Sequence, residues 1–187
     1  MKEVYNKFVQ FSENCLKDIA MLILRFILAY AFFHPAIMKW ADMNSTIAWF
    51  GNTDWVLWIP FPAFNAYILA AIEIVGVVFL TIGLGTRLIS IPLIFTMLVA
   101  MFTVHIDNGW LAIASSELIP VAAEKLNFAK NILKENGNYS WLTANGSFVI
   151  LHNGVEFVLT YMAMLLALVA NGPGRLSLDF IIKKMEK

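Results

Sequence analysis

Four long apolar runs, residues 19–38, 62–84, 88–104 and 147–170, constrain this sequence more than anything else in it. A helix needs about 20 predominantly apolar residues to cross the roughly 30 Å hydrocarbon layer of a bilayer. Each run is interrupted by at most one or two charges. Charged residues make up 14% of the chain and hydrophobic ones 60%, against about 25% charged in soluble domains, so there is too little polar surface to cover a water-soluble globule. The pattern predicts an all-α, polytopic membrane four-helix bundle, one domain over residues 1–187, with the lipid bilayer as its first partner.

An even number of spans puts both termini on one side. That side would carry Lys2, Lys7, Lys17, Arg87, Arg175, Lys183, Lys184 and Lys187, and the opposite side only Lys39, Lys125, Lys130 and Lys134. The bias favours cytoplasmic termini. Thirteen basic and thirteen acidic residues leave no net charge, which removes the field that would gather nucleic acid. The single cysteine, Cys15, excludes an intrachain disulfide or a Cys-x-x-Cys pair, so any redox chemistry must be borrowed. The leader is long and charged, Arg25 interrupts the first run and no small-x-small site follows; the first helix is expected to remain as an anchor.

Between the runs, Val4, Phe8, Phe11 and Cys15 stand at helical spacing and predict an N-terminal helix lying on the membrane surface. Gly83, Gly85, Thr86 and Arg87 predict a tight turn after helix two. Residues 44–61 hold Trp49, Phe50, Trp55, Trp58 and Phe61, rings suited to the headgroup level. The loop 106–146 contains a second amphipathic stretch. Pro120 opens it, Ala122, Leu126, Ala129 and Leu133 share a face, and Asn136-Gly137 ends it; it is expected to cap the bundle from outside.

Arg25, Glu73 and Glu156 lie inside apolar runs, where a charge costs about 2.5 to 3.5 kcal/mol on insertion scales and must face the bundle interior or water. Counting the rise along each helix puts Arg25 and Glu73 near mid-membrane and Glu156 further toward the outer half. The expectation is an Arg25–Glu73 ion pair within a buried cluster of the three. Two carboxylates against one guanidinium leave an excess negative charge, which favours a shared proton, a protonated histidine or a bound cation. Equally, Glu156 can be protonated or solvated and serve only as hydrogen-bonding glue.

His34, His105 and His152 all fall toward the outer side. His152 stands one helical turn before Glu156, and His105 is followed by Asp107, so these residues form a candidate outward pocket for a ligand or a transition metal such as Cu, Zn or Fe. Each histidine taken alone is also an ordinary interfacial hydrogen bonder. Pro35 leaves the carbonyl of Ala31 without its usual helical partner, a kink that can open a notch for a cofactor. No phosphate loop, Ser-His-Asp pattern or zincin motif is present.

These residues resemble those of the DoxX-type four-helix membrane proteins. The resemblance rests on Leu24-Arg25 and the His34 to Lys39 stretch, on Glu73-Ile74-Val75-Gly76 leading to Leu80-x-x-Gly83-Leu84-Gly85-Thr86-Arg87, and on Gly172-Pro173-Gly174-Arg175-Leu176-Ser177-Leu178-Asp179. It implies a bacterial inner-membrane protein linked in some members to quinone-dependent thiosulfate oxidation or to a membrane-associated oxidoreductase complex. The block from Thr103 through His105 and Asp107 to Ala114 is also similar to a subgroup associated with maturation of copper-binding modified peptides. Lacking paired cysteines and any haem or flavin signature, the chain reads as a redox-linked accessory subunit with a quinone or a metal as its cofactor and protein partners or a second copy beside it. The alternatives are a small-solute or copper-binding transport component and a structural anchor for soluble partners.

Overall fold

The computed structural model describes residues 1–12, 16–52, 59–115 and 117–186. Among them are helices α1 (Lys2–Phe11), α2 (Lys17–Ala41), α3 (Met43–Phe50), α4 (Pro62–Ile82), α5 (Thr86–Ala100), α6 (Pro120–Asn136), α7 (Tyr139–Leu142), α8 (Glu156–Asn171) and α9 (Leu178–Met185). Helix α2 packs on α4, α4 on α5, α5 on α8 and α8 back on α2, closing a four-helix bundle. Cys15, Trp55 and Trp58 lie outside the described residues.

The bundle follows from one buried stripe per helix. In α2 the buried positions are Met21, Arg25, Leu28, Ala29, Phe32 and Ala36, the three-and-four spacing that keeps side chains on one face. The other face turns Ile23, Phe26, Ile27, Tyr30, Phe33 and Ile37 outward, toward lipid. Because lipid is as apolar as leucine, close packing holds such helices together, not release from water. Gly76 illustrates this: a Cβ there would stand 2.9 Å from Leu93 Cδ1, so its absence lets α4 and α5 approach. Two core clusters result. One, around Leu28, Phe32, Leu80, Leu93 and Leu165, fills the terminal-side half; the other, around Phe50, Ile59, Ala66 and Leu69, lies at the far end.

Three described helical stretches are long and apolar enough to cross a membrane: Lys17–Ala41, Pro62–Ile82 and Thr86–Asn108. The fourth run differs from expectation. Its helix begins only at Glu156 and at 1.5 Å per residue spans about 24 Å. Residues 147–155 are not helical and are laced to the loop after α5: His152 and Asn153 N–H donate to Ala112 O, Gly154 to Leu111 O, Val155 to Gly109 O and Glu156 to Trp110 O, all within 3.0 Å. This latch satisfies backbone groups that lipid could not. Asn153-Gly154 is the signal that ends the helical reading: Asn153 adopts φ +61°, and a Cβ on Gly154 would lie 2.6 Å from two carbonyl oxygens.

Outside the bundle, α1 exposes Val4, Tyr5, Phe8 and Phe11, as expected of a surface-lying helix. Helix α6 runs from Pro120 to Asn136 as its end signals imply, but it buries no residue. Ala122, Leu126 and Leu133 are half-buried and Ala129 is exposed; α6 faces residues 147–150 across a cleft.

Candidate functional site

Between the helices, on the far side of the Leu28 cluster, lies a cavity of about 230 Å³ walled by α2, α3, α4, α5 and α8. Its lining is largely apolar: Phe32, Pro35, Phe50, Leu69, Met97, Val99 and Val158 among others. Pro35 and Ala31 are part of its wall. Buried Thr96 and Thr103 also line it, and their hydroxyls donate to Leu93 O and Val99 O, each at 2.8 Å. The charged groups on its wall are Lys39 and Glu73.

Glu73 pairs with Lys39, not with Arg25. The reason is directional. A helical side chain tilts toward its own N-terminus, and α2 and α4 are antiparallel. Lys39 on α2 therefore leans into the membrane and Glu73 on α4 leans toward the far side, so they meet. Arg25 shares the tilt of Lys39, but from its place near the start of α2 that tilt carries it toward the terminal side and away from Glu73. It reaches Leu80 O at 3.2 Å and also Leu176 O, seven residues or about 10 Å along α4 from Glu73. The pair is poorly hydrated, with Lys39 22% and Glu73 5% exposed. The second carboxylate oxygen, Glu73 Oε2, is buried with no hydrogen-bond partner.

A second polar point is His105, at the end of a π-type turn over Met101–His105 that continues α5. Such one-turn widenings recur at functional sites. His105 Nδ1 stands 2.8 Å from Asn153 O. A carbonyl only accepts, so Nδ1 carries the proton, and in the Nδ1–H tautomer Nε2 is the acceptor.

The other expected ligands do not join it. His34 is exposed on the lipid side of α2 and Asp107 is exposed beyond α5. His152 belongs to the latch, not to α8, so it and Glu156 are not one helical turn apart. Glu156 Oε2 accepts from Ala112 N–H at 3.0 Å, a hydrogen bond that closes the latch; it takes no part in a cluster with Arg25 and Glu73. Among the described residues, no group of three or more His, Cys, Asp or Glu side chains stands together as a metal site. The partner of Glu73 that sequence reasoning missed is Lys39, counted as an opposite-side basic residue and as the end of the His34 to Lys39 stretch; its place one turn beyond Ala36 on the buried Phe32–Ala36 stripe was the available signal.

Arg25 has a different environment. It is 1% exposed, and its guanidinium faces the last turn of α4, where carbonyls lack helical partners and carry partial negative charge. The block after α8 supplies the rest. Asp179 interacts electrostatically with Arg25, accepts from Gly85 and Thr86 N–H at 2.7 and 3.1 Å, and donates its own N–H to Gly83 O. Gly83 and Gly85 have φ of +70° and +53°, a left-handed backbone that aims those groups at the C-terminal segment. Asp18 of α2 accepts from Arg175 N–H, so both ends of the chain meet on this side.

The DoxX family profile matches residues 20–106, from the start of α2 through the π-type turn, and so includes Arg25, Lys39, Glu73 and His105. A Bacillus subtilis protein named "Putative oxidoreductase CatD" is 36% identical over 102 residues, covering 54% of this chain and 72% of its own length. An uncharacterised protein of Haemophilus influenzae is 27% identical over 171 residues, or 89% of this chain and 85% of that one. No solved structure matches. With the profile on three of the four bundle helices and the Bacillus relative matched over more than two thirds of its length, this membrane-spanning chain belongs to the DoxX family.

Proposed function

We propose that this chain is a redox-linked accessory subunit of the bacterial inner membrane, both termini cytoplasmic, whose inter-helix cavity receives the ring of a quinone. The observation that carries the reading is the Lys39–Glu73 pair on the wall of an apolar cavity, with Glu73 Oε2 buried and unpartnered. About 230 Å³ lies below the usual range for drug-sized ligands, so the cavity suits a single ring and excludes a flavin. A bound quinone would supply two-electron, two-proton chemistry. Lys39 would donate to a ring carbonyl oxygen, Glu73 would hold or release a proton at Oε2, and His105 Nε2 would accept from a reduced hydroxyl. Electrons would come from a protein partner, and the oxidoreductase name of the Bacillus relative is consistent with that role.

A copper, zinc or iron centre has less to support it, since His34 and Asp107 face outward and Glu156 is engaged by Ala112. The test is equilibrium binding of a short-chain ubiquinone to detergent-purified protein, followed by tryptophan fluorescence, with organic extraction of the purified sample for native quinone. Saturable binding weakened at least about tenfold in Glu73→Gln, which is 1.4 kcal/mol, and retained in His34→Ala supports the reading. Absent binding, or wild-type affinity in Glu73→Gln, rejects it.

A further inference from the structure

The terminal side holds a second cavity, about 610 Å³, unconnected with the quinone reading and built where the ends of α2, α5 and α8 meet α9. Four basic residues line it, Lys17, Arg87, Arg175 and Lys183, against two carboxylates, Asp18 and Asp179. Both carboxylates are committed: Asp179 to the Gly85 and Thr86 amides, Asp18 to Arg175 through its amide at 2.8 Å and its Nε at 3.4 Å. The lysines and Arg87 therefore dominate the field. Arg87 gives one of its five donors to Ala170 O at 3.2 Å and lies over Gly172, where a Cβ would come within 3.1 Å of its Nε.

Depth identifies what such a cavity meets. Lys17 opens α2, Arg87 is in the first turn of α5 and Asn171 closes α8, so the cavity sits at the ends of the apolar spans, at headgroup level. From its rim an exposed apolar stripe, Leu88, Ile91 and Phe95, runs along α5 into the hydrocarbon layer, with exposures of 76, 57 and 61%. A basic headgroup-sized recess continuous with an apolar track matches a phosphate ester carrying acyl chains. We propose that this cavity binds the phosphate headgroup of an anionic phospholipid, with an acyl chain laid along Leu88, Ile91 and Phe95.

The same basic chemistry would accept free phosphate, and the experiment separates the two. Detergent-purified protein is titrated with phosphatidylglycerol, phosphatidylcholine and inorganic phosphate and read by native mass spectrometry. Phosphatidylglycerol is expected to bind in preference to phosphatidylcholine. Lys17→Gln with Lys183→Gln, two exposed positions whose loss leaves the Asp179 and Arg25 contacts intact, should weaken it about fivefold per lysine at unchanged thermal stability. Lys125→Gln with Lys134→Gln on α6, far from the cavity, should leave it alone. Equal binding of both lipids, preference surviving in the Lys17, Lys183 variant, or millimolar inorganic phosphate displacing the lipid would each overturn the proposal.

Discussion

Arg25 and Glu73 are both ionisable groups buried in apolar helices, and the molecule treats them in opposite ways. Around Arg25 the chain closes a knot, although Arg25 Nε, like Glu73 Oε2, is buried without a hydrogen-bond partner: carbonyls of Leu80 and Leu176, the charge of Asp179, and a turn whose glycines aim amides at that same carboxylate. Around Glu73 it leaves space, with one lysine, one unmatched oxygen and a cavity between apolar walls. Much of what surrounds Arg25 is the chain's own backbone, which a side chain elsewhere cannot replace and a ligand cannot enter. The Glu73 site is held by a single flexible side chain and opens onto a void. Invested structure marks the first as a fastening of the fold and the second as a place for chemistry.

The comparison breaks most sharply if Lys39 is removed. Lys39→Met leaves Glu73 buried without its cation, and losing one partner of a buried pair costs about 3 to 5 kcal/mol. Thermal unfolding in detergent should show that loss, and Lys39→Met with Glu73→Leu should recover most of it while still failing to bind a short-chain quinone. A double variant that stays as unstable as the single one would mean the site is a fastening too. Next in size is Asp179→Asn. It removes a charge-assisted acceptor worth about 1.5 to 3 kcal/mol and the carboxylate beside Arg25, so it should lower thermal stability by that order while quinone affinity stays unchanged.

A smaller effect belongs to the latch. Glu156→Ala strips the acceptor from the Ala112 amide and should cost about 1 to 2 kcal/mol, whereas Glu156→Gln keeps an oxygen there and should cost less. His152→Ala should not move metal content at all. If Glu156→Gln removed a bound metal, the separation between latch and site would be wrong.

The apolar runs made the bundle legible, because bilayer thickness and backbone satisfaction leave few alternatives, and Pro120 with Asn136-Gly137 delimited α6. Where the helix number misled was the fourth run: composition over residues 147–155 is apolar enough to count as span, but Asn153-Gly154 breaks it and the segment that satisfies it is some 40 residues away in sequence, at 109–114. The charged pairing failed for a different reason. Depth along the helix fixes where a Cα sits and not where a long side chain goes. The tilt of helical side chains toward their N-termini was the missing term, and applied to antiparallel helices it separates Arg25 from Glu73 and joins Lys39 to it. Histidine convergence rested on outer-side position and on a helical turn from His152 to Glu156 that the chain does not form; of the three histidines, His105 is the one that lines the cavity.

The far end of the bundle also contains a case that titration can check. Asp42 caps α3, accepting from Ser45 N–H at 3.0 Å and from Ser45 Oγ at 2.6 Å. The Ser45 hydroxyl first, and its amide second, hold the Asp42 carboxyl below the ordinary aspartate range, near 3.9 in unfolded chains. Both bonds favour the charged form, so their contribution is present above that unfolded value and fades as pH falls through the lower, folded one. Acidification from pH 7 to 5 should therefore leave α3 untouched, and its first turn should loosen only below about pH 4. A carbon-detected NMR titration of Asp42 should give a midpoint below 3.9 that moves up in Ser45→Ala. An unmoved midpoint would show that the cap exerts no hold on the carboxyl, and that the small helix roofing the Lys39–Glu73 cavity owes its position to other contacts, such as the packing of Met43, Ile47 and Phe50 beside α4.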